Sequence, residues 1–342
     1  MTDPPLTQRL LYRLAQEPVA RGTTTGFVSG ARLSDALGVT RSAVWKAARK
    51  LRELGVEIER LPRQGYRLAL PCSPLDAEAI RARLSPGTRA QVATVGVQWH
   101  TTSTNADLLA HPPARGRLSL CVAEHQSAGR GRRGRSWLAA PGAALCLSWA
   151  WRFETLPAHI GSLGLAVGIA AARTLQSQGC ASVGLKWPND LVTPDGKVGG
   201  ILIELVSEAA GPALVVIGIG INVALGASLR AAVLADGNRA TDLASAGAGG
   251  IDRNDLAAQL VDDGFQAVLQ WEQQGFAPLV SAWRALDRLH GHPVVVRHVD
   301  RALHGIARGV DLDGALLLDD GEAVHRLSSG EASVRPREGV GP

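Results

Sequence analysis

The sequence predicts a multidomain α+β protein, with a winged helix-turn-helix, a central mixed β-sheet with helices, and a small C-terminal β-barrel. Three observations predict it. Residues 1–70 alternate short amphipathic helices with a glycine turn and a hairpin. The middle of the chain holds apolar strands joined by hairpin-type links, which favours a mixed or antiparallel sheet over a Rossmann stack. The tail is a run of short strands broken by Asp-Gly turns. At 342 residues the chain exceeds one core, and 46% apolar content excludes general disorder. The expected domains are 1–70, 75–288 and 289–337.

In the first domain, Leu6, Leu10, Leu11 and Leu14 recur at helical spacing. A loop rich in Gly, Thr and Arg follows, then a short helix from Ala31 to Leu37 that Gly38 breaks. Thr40 caps a third helix running from Arg41 to about Leu54, which Gly55 ends. Its buried stripe is Val44, Ala47, Ala48, Leu51 and Leu54. Arg41, Ser42, Lys46, Arg49 and Lys50 remain outside. Two extended pieces, 56–61 and 65–68, form a wing with Arg63 at its tip. From Arg41 to Arg67 there are eight basic and three acidic residues, a net +5 that matches the formal excess of the whole chain. Such a face suits duplex DNA, with the third helix in a major groove and Arg63 at phosphate or minor groove. A helical domain with a wet basic face, or one that binds protein, is the plainer alternative. Pro71 and Pro74 mark a linker.

The central region is expected to begin with one helix, Leu75 to Leu84, ended by Pro86. A strand from Val92 to Trp99 follows, and then a helix entered through His100 to Asn105. The hydroxyls and amide of Ser103, Thr104 and Asn105 cap that helix or hold a polar ligand. Leu118–Glu124 and Ala144–Trp151 read as buried strands. Between them, residues 129–137 carry four arginines, three glycines and no acid. Glycines let amide groups face an anion, and arginines add planar forks for phosphate or carboxylate. A solvated basic hairpin and a nucleic-acid contact are the alternatives. The loop is neither a Walker phosphate loop nor a Rossmann fingerprint.

Residues 160–175 read as a long alanine-rich helix. A strand then ends at Lys186-Trp187-Pro188-Asn189-Asp190, where a lysine, an amide and a carboxylate suit phosphate, or magnesium between phosphate and Asp190. A surface turn is the alternative. Lys197 follows a Pro-Asp-Gly turn, and strands Gly199–Leu205 and Val215–Val223 come next. Their glycines suggest a ligand lying close to backbone. Residues 226–250 read as a mobile closing loop, and 255–286 as helix. The four scattered cysteines have no metal spacing and fit reduced structural thiols. No stretch suits a membrane span or a secretory signal, so a cytoplasmic setting is expected.

Ser103-Thr104-Asn105, the Gly-Arg-Arg loop, Lys186–Asp190, Lys197 with Gly200, and Gly218–Asn222 stand in an order that closely resembles the biotin protein ligases. With the winged helix in front, the chain resembles the bifunctional ligase and biotin operon repressor type. The resemblance spans about Leu6 to Arg335, and is most specific in Gly129–Gly134 combined with Lys186–Asp190. It implies a central sheet of the biotin/lipoate ligase type and an SH3-like C-terminal barrel. It implies that biotin and ATP, with Mg2+, form biotinyl-5'-AMP, which then acylates a lysine of the carrier domain of acetyl-CoA carboxylase. Catalysis would fall to Arg130, Arg132 and Lys197. Ser103, Thr104, Asn105, Gln126, Gly129, Gly131, Gly200 and Gly218 would join these three around biotin. Trp137, Lys186, Asn189, Asp190 and Asn222 would join Arg132 at ATP, with Asp190 on the metal. The resemblance further implies a ligand-promoted homodimer, formed through an edge near Gly200–Leu205, on two-fold operator DNA. A ligase whose winged helix no longer regulates is the alternative. His100 and Thr101, where the family commonly has an acid, are expected to alter the pocket mouth.

Overall fold

The computed structural model describes residues 3–18, 25–207, 212–235, 239–298 and 301–334. Parts of two loops singled out above, 21–24 and 236–238, lie outside these residues, as does the chain beyond 334. At the N-terminus, α1 (Leu6–Ala15), α2 (Gly30–Leu37) and α3 (Arg41–Glu53) enclose a core with the hairpin β1 (Ile58–Leu61) and β2 (Gly65–Leu68). The caps are those the residue types demand. Ser29 accepts from the Arg32 amide, Thr40 from the Ala43 amide, and Gly38 ends α2 at φ 66°. Val44, Ala47, Ala48 and Leu51 are buried as expected, while Leu54 is half-buried.

The next segment departs from expectation. Pro86 does not end a helix but starts one. After α4 (Ala77–Arg83), Ser85 caps α5 (Pro86–Gln91), with Pro86 in the first turn, where its missing N–H is harmless. A seven-stranded mixed sheet follows in the order β3-β4-β5-β9-β8-β7-β6. Its strands are β3 (Val92–Thr101), β4 (Leu118–Gln126), β5 (Ala144–Phe153), β6 (Gly184–Lys186), β7 (Asp190–Thr193), β8 (Gly196–Ser207) and β9 (Ala213–Asn222). Only β3 and β4 run parallel; the other neighbours are antiparallel.

Side-chain alternation gives this sheet two different faces. Leu120, Val122, Leu147, Trp149, Ile217 and Ile219 enter the main core beside α7 (Leu163–Ser177) and α9 (Arg253–Gln274). The residues between them face the other way. Cys121, Ala150 and Val216 pack on Leu108 of α6 (Thr104–Ala110), and further along Ala123 and Cys146 pack with Ala139 and Trp137. Residues 226–250 are not wholly loop, since α8 (Ala227–Ala235) forms there. After α10 (Val280–Leu286) comes a five-stranded antiparallel sheet in the order β13-β12-β11-β10-β14. It is made of β10 (Pro293–His298), β11 (Arg301–Val310), β12 (Leu316–Asp319), β13 (Val324–Leu327) and β14 (Glu331–Val334).

One buried ion pair joins these units. Glu124 on β4 and Arg253 at the start of α9 are fully buried, with guanidinium-to-carboxylate distances of 2.8 and 2.9 Å. Glu124 also accepts from the Tyr12 hydroxyl at 3.0 Å and the Leu75 and Gly142 amides at 3.0 and 3.1 Å. Winged helix, linker, β4 and α9 therefore share one carboxylate. Burial alone would raise the pKa of Glu124, but the Arg253 charge and these hydrogen bonds bring it below the usual carboxylate range.

Candidate active site

A cleft of about 850 Å³, including its open mouth, lies on the polar face of the sheet. Its floor is a line of hydrogen bonds. Gln126 at the end of β4 accepts from the Thr104 amide at 2.8 Å and its hydroxyl at 3.2 Å. The Thr104 hydroxyl lies 2.7 Å from that of Ser148 on β5. Ser148 donates to the Asn105 amide oxygen at 2.6 Å, and Asn105 donates to Glu204 on β8 at 2.8 Å. These side chains therefore hold the start of α6 against three strands. Ser103 is the N-cap by position, but no side-chain capping bond forms there.

The arginine loop closes the cleft from above. Its base is fixed by the Trp137 amide donating to the Gly129 carbonyl at 2.8 Å, and by the Gly131 amide donating to the Arg135 carbonyl at 2.7 Å. Arg130 meets Glu204 at 3.2 Å, and Arg135 pairs with Glu331 of the C-terminal sheet. Arg132 is half-buried and, among the described residues, has no carboxylate partner. Burial and the adjacent Arg133 lower its pKa from the ordinary arginine value, against the opposing pull of Asp190 and Glu331.

At the other end, Lys197 reaches one oxygen of Asp190 at 2.6 Å and Lys186 reaches the other at 3.4 Å. Six cationic side chains line the cleft, namely Arg130, Arg132, Arg133, Arg135, Lys186 and Lys197. Against them stand two lining carboxylates, Asp190 and Glu331, and Glu204, which pairs with Arg130, so six minus three leaves a surplus of three positive charges. Burial pushes the Cys146 thiol in the wall up to about 12, which leaves it protonated near neutral pH. Asp190 was the expected metal ligand, but both of its oxygens face lysine. Among the described residues, no group of three or more His, Cys, Asp or Glu stands together to hold a metal. This donor set does not fit an ion held by the protein alone.

Most of the residues singled out in the sequence meet here. Ser103, Thr104, Asn105, Gln126, Arg130, Gly131, Arg132, Trp137, Lys186, Asn189, Asp190, Lys197, Gly200 and Gly218 all line the cleft. Gly129 does not line it; it serves the loop base. Asn222 is buried behind the wall, donating to the Thr241 carbonyl at 2.9 Å and the Lys197 carbonyl at 3.4 Å. The Asn189 amide is committed to the Ile201 carbonyl at 2.7 Å. The strand glycines make room first for protein. A Cβ on Gly218 would strike the Asn105 amide, and one on Gly220 would lie 2.6 Å from the Trp137 ring. His100 and Thr101 lie outside the lining, where His100 stacks on His125 and Thr101 donates to Asp107 at 3.0 Å. Sequence reasoning missed Ser148 and Glu204. Each interrupts an apolar run of its strand at the alternation that faces the cleft, and that alternation could have found them.

The expected DNA-facing residues are all exposed. Arg41, Ser42, Lys46, Arg49 and Lys50 lie on the outer side of α3, and Arg63, at φ 65°, lies on the wing tip.

A winged helix with an exposed basic face, ahead of a cleft with surplus positive charge, is the architecture of a DNA-binding protein that also holds an anionic ligand. Residues 96–222 match the biotin/lipoate A/B protein ligase family, residues 22–67 an HTH domain, and residues 289–335 the biotin protein ligase C terminal domain. The bifunctional ligase/repressor BirA of Escherichia coli (strain K12) is 39% identical over 91% of this chain and 94% of its own length. The biotin–[acetyl-CoA-carboxylase] ligase of Mycobacterium tuberculosis is 36% identical over 75% of this chain and 95% of its own. The solved biotin protein ligase from Aquifex aeolicus in complex with biotin and ATP shares the fold, with a TM-score of 0.57 at 24% identity, covering 72% of this chain and 98% of that one. The chain belongs to the biotin protein ligases of the bifunctional ligase/repressor type.

Proposed function

We propose that the surplus positive charge of the cleft is what lets the biotin carboxylate and the α-phosphate of ATP meet. The chain is a biotin–protein ligase and a DNA-binding repressor. In the first half-reaction a carboxylate oxygen of biotin attacks the α-phosphorus, the bond to the β-phosphate oxygen breaks, and pyrophosphate leaves. In the second, a lysine amine attacks the acyl carbon of biotinyl-5'-AMP, AMP leaves, and the amine loses a proton. The substrates supply both nucleophiles, in keeping with a cleft whose one thiol stays neutral. The observation that carries this reading is Arg132, half-buried in the lining of the cleft and, among the described residues, in no ion pair with a carboxylate.

In this reading Ser103, Thr104, Asn105 and Gln126 orient biotin, and the backbone of Gly129–Arg132 with Gly200 closes around its acyl end. Arg132 and Lys197 stabilise charge as it develops on the phosphorus oxygens. Trp137 and Lys186 serve the nucleotide. Asp190 acts through its two lysines, Asn189 by tying its turn to β8, and Asn222 by fixing the backbone of Lys197. The acceptor is a carboxylase carrier domain, by analogy with the named relatives, in a cytoplasmic setting. Among the described residues, no helix is long and apolar enough to cross a membrane. A homodimer forms along β8, whose residues beyond Ile201 have, among the described residues, no strand on the β7 side and expose Leu205 and Val206. Sedimentation with and without biotin and MgATP reads this directly, since ligand is expected to raise the dimer fraction.

ATP–pyrophosphate exchange tests the acid. Biotin is expected to drive exchange and lipoate is not; lipoate-driven exchange alone would sink the assignment. A gel shift with operator DNA, biotin and MgATP tests repression. The floor makes a further prediction. Gly218→Ala forces the Asn105 amide aside, so the KM for biotin should rise by about ten-fold while kcat changes little.

A further inference from the structure

The outer face of α3 is not uniformly charged. Residues 41, 42, 45, 46, 49 and 50 are exposed, opposite the stripe of Val44, Ala47, Ala48 and Leu51. At the centre of this face stands Trp45, 40% exposed, whereas Trp149, Trp187, Trp271 and Trp283 are fully buried. The guanidinium of Arg49, one turn further on, lies 5.1 Å from the Trp45 ring centroid, a cation–π contact. The only acid of the helix, Glu53, is exposed and meets Arg49 and Lys50 at 3.5 and 3.4 Å.

We propose that Trp45 reads sequence, its ring lying against thymine 5-methyl groups in the major groove while its contact with Arg49 aims that guanidinium at the neighbouring base pair or phosphate. The proposal rests on the winged helix being the DNA-binding module and names what that module recognises. Non-specific attraction to DNA scales with the number of cations that meet phosphate, and a neutral indole adds nothing to it. What the ring adds is apolar contact, and the apolar group on the major-groove edge of a base pair is the thymine methyl. Trp45 is the fifth residue of α3, within the N-terminal part of a recognition helix that approaches base edges. Arg41, Lys46 and Lys50 around it, and Arg63 on the wing, supply the phosphate contacts. That charge makes a polyanion the occupant of the face.

The test uses the full-length protein with biotin and MgATP. The wild type selects duplexes from a pool with a random core. The selected duplex is then remade with each thymine in turn replaced by deoxyuridine, which removes only the methyl. One or two such changes in each half-site are expected to weaken wild-type binding roughly four-fold each. Trp45→Ala is expected to bind the parent duplex about ten-fold more weakly and to be indifferent to those same changes. Arg49→Gln should keep the methyl dependence with a salt slope lower by about one. The proposal is overturned if Trp45→Ala binds as the wild type does, or if it loses affinity equally on thymine and deoxyuridine duplexes. Biotin transfer by the same preparations reports that the variants are folded. Failure of the wild type to select any duplex would remove DNA reading itself, an outcome distinct from loss of the methyl effect.

Discussion

Replacing Lys197 by alanine is expected to lower the rate of biotinyl-5'-AMP formation by roughly 100-fold or more, the loss of about 3 kcal/mol that follows removal of one preorganised donor to a developing oxyanion. The ammonium lies 2.6 Å from Asp190 at one end of the cleft. Its removal leaves Asp190 facing only Lys186, so negative charge gains weight where anions must enter. Labelling of a purified carrier domain with biotin and MgATP should proceed with the wild type and nearly stop with Lys197→Ala. The substrates then separate two roles. If preformed biotinyl-5'-AMP restores transfer, Lys197 acts in the first half-reaction. Unchanged labelling by the variant would remove Lys197 from the chemistry.

Replacing Glu124 by glutamine should lower stability by about 3–5 kcal/mol, because Arg253 keeps its charge in a buried site without the opposing one. A melting temperature lower by roughly 10 °C is expected from a change of that size. The pH dependence has a definite sign. Glu124 is held below its ordinary value of 4.5 in the folded chain, so its stabilisation is present above that value and is lost as pH falls through the folded pKa. The gap between wild type and Glu124→Gln should therefore be widest near neutral pH and close on acidification below about 4.5. A constant gap across that range would show that the carboxylate's charge is not what stabilises the fold. Tyr12 and Leu75 bond the same carboxylate, so the variant should also free the winged helix to move against the sheet. Faster amide exchange in α1 would report it.

Local physics made much of this legible in the sequence. The spacing of Val44, Ala47, Ala48 and Leu51 gave the buried side of α3, and hence its outer side. The apolar runs either side of residues 129–137 placed the arginines on a loop between paired strands. What was lost is long-range. Glu124 reads as part of a buried strand, and nothing nearby in sequence shows that Arg253 neutralises it. Pro86 is ambiguous in the sequence, because a proline that stops one helix also suits the first turn of the next. The strand glycines suggested a ligand, but the Asn105 amide and the Trp137 ring, each from a distant segment, fill their faces first. Asn222 carries an amide of the right kind at the end of the right strand, yet it points behind the wall. Only the packed sheet decides that.

The most direct test of the charge argument is a structure with a hydrolysis-resistant analogue of biotinyl-5'-AMP bound. The account predicts that Arg132 and Lys197 come within hydrogen-bond distance of the acyl-phosphate oxygens, with Ser103, Thr104 and Gln126 along the biotin rings. If Arg132 and Lys197 instead turn to solvent with the analogue seated in the cleft, surplus positive charge is not what joins the two anions.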